Sequence, residues 1–190
     1  PAGAGAAAGG GAASASTPPS PFGTGDRLVF RSFDPISGVP GADSTLQLTR
    51  LDGSAVEFDA GAWVTDASGN WRAGSAGGMK LIGVLRPTYP ANGTWRARLE
   101  SALNANDFIE GTVQSAGTVD VKIGGRPVQA IRLTLRGSTS VATTAPASNF
   151  GPRPVTGQLL VEPASGVVLS ITLDTAHPDL ALRRQLVQRV

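Results

Sequence analysis

The sequence predicts an all-β protein, an antiparallel β-sandwich or β-barrel of about 8–11 short strands behind a disordered linker rich in Ala, Gly, Ser and Pro. Short runs of β-forming residues recur along the 190-residue chain, and Gly, Pro, Asn or Asp separate them. Apolar and polar residues alternate with period two in these runs, as around Val56 and Phe58. No internal segment carries a sustained apolar stripe of helical period. These patterns favour strands joined by tight turns.

Residues 1–24 form the predicted linker, and residues 25–190 form one predicted β-rich domain. The first 24 residues are Ala, Gly, Ser, Thr and Pro almost throughout, and none of them is charged. Such a segment buries too little side chain to offset the entropy lost on ordering. We therefore expect a flexible tether for the domain.

The predicted strands begin at Asp26 and continue almost to the C terminus. Turn dipeptides such as Asp52-Gly53, Asn92-Gly93 and Ser165-Gly166 separate them. The runs lie at residues 26–33, 44–51, 54–60, 93–101, 108–115, 117–137, 155–163 and 166–174.

The last segment, residues 179–190, fits two structures. Leu182, Leu186 and Val190 are four residues apart, which suits one face of a helix, but four is also a multiple of two. We interpret this segment as a closing strand, because an unclosed sheet would leave an exposed edge.

Residues 117–137 predict a hairpin with a three-residue turn, Gly124-Gly125-Arg126. In that register Val119 faces Ile131, and the apolar residues of both strands share one face. The basic residues of the hairpin then lie on the solvated face, so the pattern does not indicate an anion-binding strip.

Charge and composition argue against several classes of function. The chain has 16 basic and 14 acidic residues, and this net charge of +2 is too small for the concentrated basic surface that nucleic-acid binding needs. The chain contains no Cys, which excludes disulfides and thiolate chemistry within it. No apolar run approaches the roughly 18 residues of a membrane-spanning helix. We expect no nucleic-acid partner and no transmembrane segment.

The sequence also offers no catalytic or metal-binding motif that withstands scrutiny. His177 is the single His, so a metal site or a Ser-His-acid triad would depend on it alone. The segment Asp174-Thr175-Ala176 resembles the loop of aspartic proteases, but that chemistry needs two such carboxylates. We expect no enzymatic activity, no catalytic residue, no metal and no cofactor.

Candidate partner contacts combine aromatic and basic side chains in predicted loops and turns. The long segment 142–155, rich in Pro and Gly, is the strongest candidate for a contact loop. The tip of the 117–137 hairpin and the turn near Ser68-Gly69-Asn70 supply the others. The candidate contact residues are Phe150, Arg153, Trp71, Arg72, Lys122 and Arg126.

Four segments of the chain carry a family resemblance. They are GTGDRLVFRSFD, RPTYPANGTWRARLE, VDVKIGGRPVQAIRLTLRG and LLVEPASGVVLSITLD, within residues 23–174. Together they resemble a loose group of uncharacterised bacterial domains that are β-rich and secreted or anchored in the envelope. The chain departs from that group where Leu28 replaces its first aromatic residue. The resemblance implies a periplasmic domain or one anchored at the outer membrane through a lipidated Cys ahead of Pro1.

Three functions compete at this point. The first is a non-enzymatic envelope domain that binds a protein or a cell-wall component through a sheet face or its loops. The second is a lipocalin-like carrier that holds a lipid or another apolar ligand inside a barrel. The third is a hydrolase built on dispersed carboxylates. A cavity above a few hundred cubic ångströms with aliphatic walls would favour the carrier, and a filled interior would favour partner binding.

Replacing Arg132 and Arg136 together with Gln should leave the free energy of unfolding within about 1 kcal/mol of the wild-type value. Both side chains are expected on the solvated face of the hairpin, where ion pairs contribute little. Urea unfolding measures the change. A loss of several kcal/mol would mean that the two faces of the hairpin are assigned the wrong way round.

Overall fold

The structure, a computed structural model, describes residues 20–75, 77–141, 151–177 and 180–190. Its regular structure consists of strands and one short 3₁₀ turn, and these residues contain no α-helix. The predicted all-β fold class is therefore confirmed. The twelve strands are β1 Arg27–Phe33, β2 Pro40–Asp52, β3 Ala55–Phe58, β4 Trp63–Asp66, β5 Trp71–Gly74, β6 Met79–Ile82, β7 Thr94–Ser101, β8 Asp107–Ile123, β9 Arg126–Val141, β10 Pro154–Val161, β11 Val168–Thr175 and β12 Leu182–Arg189.

Three strands, β4, β5 and β6, were not among the predicted runs. Each is only four residues long, and Gly-rich segments surround them. Four residues show too little alternation to stand out from a loop in the sequence. The structure therefore has slightly more strands than the sequence predicts.

All twelve strands belong to one antiparallel sheet that curls into a nearly closed barrel. The strand order is β5-β4-β3-β2-β1-β12-β11-β10-β9-β8-β7-β6. The pairing of β1 with β12 confirms the prediction of a closing strand in residues 179–190. The two edge strands, β5 and β6, are consecutive in the chain, and Lys80 Nζ on β6 lies 4.4 Å from the ring centroid of Trp71 on β5.

Connections between strands alternate between the two ends of the barrel, because every strand runs antiparallel to its neighbours. We call the end that carries the β1–β2, β3–β4, β5–β6, β7–β8, β9–β10 and β11–β12 connections the rim end. The opposite end, with the other five connections, the start of β1 and the end of β12, is the floor end.

The interior contains two apolar clusters. The first lies between β6 and β11 and includes the fully buried Leu99, Leu133, Leu159 and Leu173. The second joins β1, β2 and β3 to β12 and to the tip of the β8–β9 hairpin, and it includes Leu28, Leu48 and Leu186. The alternation seen in the sequence corresponds to these inward-facing rows.

The sheet has two arms, one from β1 to β5 and the other from β6 to β12. Two turns touch at the floor end and bring these arms together. A Cβ on Gly69, in the β4–β5 turn, would overlap the carbonyl oxygen of Gly166 in the β10–β11 turn. A Cβ on Gly166 would lie 2.6 Å from the backbone nitrogen of Gly69. Both glycines have positive φ, +96° and +69°. Only glycine permits this backbone approach in this conformation.

Each of these turns is organised by a carboxylate. Asp66 accepts hydrogen bonds from the backbone N–H groups of Ser68 and Asn70, at 2.9 and 3.0 Å. Glu162 accepts hydrogen bonds from the Ser165 N–H at 2.8 Å and from the Ser165 hydroxyl at 2.5 Å. Internal acceptors of this kind fix turn conformation, so the two glycines are presented in a defined geometry.

The β8–β9 hairpin differs from its predicted register. Its turn has two residues, Gly124 and Gly125, with φ of +55° and +81°, as a type I′ turn requires. Val119 consequently pairs with Ala130 and not with Ile131. A β-bulge at residues 116–117 shifts the register by one further residue, so Val113 pairs with Leu135 in the body of the hairpin. The predicted three-residue turn was wrong. It was chosen so that the apolar residues of both strands share one face, and that reasoning assumes a hairpin without a bulge.

The bulged hairpin bends so that its tip packs at the floor end. Ile123 and Val128 are buried in the second apolar cluster. The Gly124 N–H donates a hydrogen bond of 3.2 Å to the Val187 carbonyl of β12. The predicted exposure of Arg132 and Arg136 is confirmed, since both side chains face solvent.

Contacts with the barrel begin within the segment assigned to the linker. Phe22 is only 5% exposed and belongs to the second cluster. The Ser20 hydroxyl donates a hydrogen bond of 2.9 Å to Glu162. The guanidinium of Arg189 donates to the Pro21 carbonyl. Residues 20–24 thus cover part of the floor end.

Replacing Gly166 with Ala should lower the free energy of unfolding by about 3 kcal/mol, because the new methyl group combines positive φ with overlap of the facing turn. The matched control is Gly125→Ala, which has a similar φ but nothing within 4 Å of the added Cβ. It should cost about 1–2 kcal/mol. Equal losses in urea unfolding would contradict a structural role for the turn contact.

Candidate ligand-binding cavity

The barrel encloses a cavity of about 510 Å³ between its two apolar clusters. This volume lies within the range of pockets that hold small molecules, about 300–1,000 Å³. Its walls come from both arms of the sheet and are mainly apolar. The large apolar side chains that line it are Phe30, Leu46, Val56, Phe58, Trp63, Met79, Leu81, Val168, Ile171 and Leu182.

The cavity is closed at the floor end and opens toward the rim end. Gly69, Gly166 and Val167, from the two touching turns, form its buried lower wall. The exposed lining residues are Gly77, Gly78 and Leu103, in connections at the rim end, and Ser44 in the rim half of β2. A ligand can therefore reach the cavity from the rim end.

Small residues leave this volume unfilled. Ser32, Ser44, Ser101 and Gly78 occupy lining positions where a large apolar side chain would reach into the space. A Cβ on Gly78 would lie 3.8 Å from the ring of Trp63, in ordinary contact with it. Large apolar side chains and small residues alternate along the walls, which shapes a pocket and not a packed core.

Of the residues that the structure describes, one with a charged side chain lines the cavity, Arg184 of β12. It lies between Leu182 and Leu186, in the row of β12 that faces the interior. Its guanidinium carbon is 4.2 Å from the ring centroid of Phe30, and Nη2 donates a hydrogen bond of 3.3 Å to the Ser44 hydroxyl. Burial lowers the pKa of Arg184 from its ordinary value. A guanidinium nevertheless stays protonated at neutral pH.

Exposed apolar residues flank the opening. Ile36 and Val39 in the β1–β2 connection are 93% and 60% exposed, and Leu103 in the β7–β8 connection is 91% exposed. All three lie at the rim end. Val190, 67% exposed, lies at the floor end.

The predicted contact residues are not brought together, and none of those that the structure describes lines the cavity. Lys122 and Arg126 are exposed at the floor-end tip of the β8–β9 hairpin. Trp71 is half-buried on β5, with Arg72 exposed beside it. Arg153 lies near the rim end, where its backbone N–H donates a hydrogen bond of 3.0 Å to the Thr139 hydroxyl.

Phe150, the remaining predicted contact, lies outside the described residues, as does the middle of its loop. The described residues contain no group of three His, Asp or Glu side chains placed to hold a metal. His177 lies in the β11–β12 connection and does not line the cavity.

Sequence reasoning missed the cavity because its walls are ordinary strand residues. Arg184 carried the one readable signal. It interrupts the apolar row of Leu182 and Leu186, so it places a charge where the alternation predicts an inward-facing apolar residue.

Comparisons with known proteins support the fold. No protein-family model and no curated protein matches this sequence. Among solved structures, the hypothetical lipoprotein YmcC from Escherichia coli (K12) is similar, with a TM-score of 0.51 and 13% identity over 86% of this chain and 83% of that one. The expected likeness to uncharacterised β-rich envelope domains is thus confirmed at the level of the fold.

Across residues 20–75, 77–141, 151–177 and 180–190, no helix has the length and apolar character to cross a bilayer.

Proposed function

We propose that this chain is a non-enzymatic domain of the bacterial cell envelope that carries an apolar ligand, such as a lipid, inside its barrel. The observation that carries the proposal is the apolar cavity of about 510 Å³ that opens at the rim end. The envelope assignment rests on the similarity in fold to a lipoprotein and on the resemblance of the sequence segments to exported domains. The carrier, weighed second on sequence alone, becomes the better supported function.

The driving force for such binding is the hydrophobic effect. Transfer of apolar surface from water contributes about 25 cal/mol per Å². Large side chains such as Phe58, Trp63 and Met79 present apolar surface to the cavity from three strands. A ligand that fills the space would bury these side chains and its own apolar surface together. Affinity then follows from shape and hydrophobicity without a catalytic group.

The lining also supports a non-enzymatic role. Among the described residues, neither a carboxylate nor an imidazole lines the cavity. General acid–base chemistry and the two-carboxylate hydrolysis considered for this chain both need such groups beside the bound substrate. We therefore retain the expectation of no enzymatic activity as part of the proposal.

The exposed rim residues favour a role in acquiring the ligand. Transfer of the exposed side chains of Ile36, Val39 and Leu103 from water to an apolar environment is favourable, and all three lie at the end where the cavity opens. We propose that this end touches a lipid surface, from which the ligand enters. Binding of a protein or cell-wall partner through Phe150, Arg153, Trp71, Arg72, Lys122 or Arg126 stays a prediction.

Titration with the uncharged fluorophore N-phenyl-1-naphthylamine (NPN) tests the cavity. The wild-type chain should bind one NPN with saturable enhancement of its fluorescence. Leu46→Trp fills the cavity from β2 and should weaken NPN binding at least about tenfold, since a Trp side chain replaces ligand volume.

The control is Leu51→Trp, which makes the same change on the same strand at a half-buried position outside the cavity. It should bind NPN like the wild type. Absence of saturable NPN binding to the wild type, or equal binding by both variants, would contradict the carrier function.

Transfer of NPN from phospholipid vesicles tests the rim. Ile36→Asp adds a charge to the rim end and should slow transfer about fivefold, because the side chain no longer enters the lipid surface. Its equilibrium affinity for NPN should not change, because Ile36 does not line the cavity. Val190→Asp, an equivalent change at the floor end, should transfer NPN at the wild-type rate. Equal rates for both variants would refute rim docking.

A further inference from the structure

Arg184 differs from the arginines that form ion pairs in this protein. Arg31, Arg50, Arg98 and Arg189 each have a carboxylate oxygen between 2.6 and 2.8 Å from a guanidinium nitrogen. Within the part of the chain that the structure describes, no carboxylate lies within 4.0 Å of Arg184. Among the described residues, the cavity-lining arginine therefore has no negative charge beside it.

The contacts that Arg184 makes compensate the positive charge of its guanidinium only in part. The Phe30 ring offers a cation–π interaction on one side of the guanidinium, and the Ser44 hydroxyl accepts one hydrogen bond. A guanidinium has five N–H donors in a planar fork that matches a carboxylate or a phosphate. Removing a charge from water without a counter-charge is unfavourable. The site is thus arranged to gain from an anion.

We infer that the ligand of the cavity is an amphiphile with one acidic head group, a carboxylate or a phosphate monoester, that pairs with Arg184. This inference rests on the proposed carrier function and specifies the class of its ligand. The Ser44 hydroxyl and the Ser32 hydroxyl, which lies on the strand position paired with Arg184, supply further donors for the head group. The apolar tail extends past Leu46 and Phe58 toward the floor end.

The position of Arg184 along the cavity sets the orientation of the ligand. Arg184 pairs with Ser32 near the end of β1, at the rim half of the barrel, whereas Gly69 and Gly166 close the floor. The lining between them is almost entirely apolar. A head group at Arg184 therefore stays near water, and the tail alone enters the deeper space. In this arrangement the acidic head group pairs with the Arg184 guanidinium and no charged group has to enter the deeper part of the cavity.

Displacement of bound NPN by matched amphiphiles tests the inference. Dodecanoate and dodecan-1-ol have the same tail and differ in the charge of the head group. Dodecanoate should displace NPN from the wild-type chain at a concentration at least about tenfold lower than dodecan-1-ol. A factor of this size corresponds to the free energy that one charge-assisted hydrogen bond contributes to binding. Monododecyl phosphate should share this preference, and its rank against dodecanoate identifies the preferred head group.

Variants at two adjacent positions assign the preference to Arg184. In Arg184→Gln and Arg184→Met, dodecanoate and dodecan-1-ol should displace NPN at similar concentrations. Arg183→Gln removes an exposed arginine from the same strand and should keep the wild-type preference. Unchanged NPN affinity in the Arg184 variants shows that the cavity is intact, and Arg184→Met keeps the test available if the Gln variant is unstable.

The outcomes separate this inference from the proposed function. If dodecan-1-ol displaces NPN but dodecanoate is no better, the carrier stands and the acidic ligand is refuted. If neither displaces NPN, the carrier function itself fails. Acetate and inorganic phosphate, which lack a tail, should not displace NPN, and displacement by either would refute an amphiphile as the ligand. A preference retained in both Arg184 variants would overturn the role of this residue.

Discussion

The contact between Gly69 and Gly166 is the constraint on which the rest of the structure depends. The sheet has two edges, β5 and β6, and no ladder of hydrogen bonds joins them. The β4–β5 turn belongs to one arm of the sheet and the β10–β11 turn to the other, so their backbone contact holds the arms together at the floor end. An open sheet would expose both apolar clusters to water. This contact closes the floor, while the cavity opens toward the rim.

The cavity follows from this geometry. The interior has two apolar clusters, and the side chains between them, which include Ser32, Ser101 and Gly78, leave space unfilled. The bent β8–β9 hairpin and Phe22 add cover at the floor end. The same features that stabilise the floor therefore direct any ligand to the rim, where Arg184 and the exposed Ile36 and Leu103 lie.

The sequence predicts the strands well because alternation is a local property. Period-two patterns located β1, β2, β3 and the strands from β7 to β11, and β3 stood out because it lies within the longer alternating run of residues 54–60. The strand β12 was predicted from the need to close the sheet, because its spacing fits a helix as well. The register of the β8–β9 hairpin was not predictable, because the bulge near Gly117 depends on how the tip packs beneath the barrel. Alternation also gives no distance between the two arms of the sheet. The contact between the turns at Gly69 and Gly166 could therefore not be predicted.

The candidate site was predictable only in outline. A carrier with an apolar interior was one of the three functions that the sequence left open, but the residues chosen as contacts were aromatic and basic side chains in loops. The cavity instead uses strand residues such as Leu46 and Met79, which are indistinguishable from core residues in sequence. Arg184 was readable as a charge in an apolar row, but the groups that lie beside its guanidinium depend on which strands become its neighbours.

The central claim is that an amphiphile occupies the barrel interior, and a crystal structure with 12-bromododecanoate tests it most directly. Anomalous scattering locates the bromine at the end of the tail. The account predicts a bromine peak in the lower half of the cavity, near Thr65 and Val167, and the carboxylate beside Arg184. Bromine found only on the outer surface, or an interior filled by side chains without room for the ligand, would contradict it.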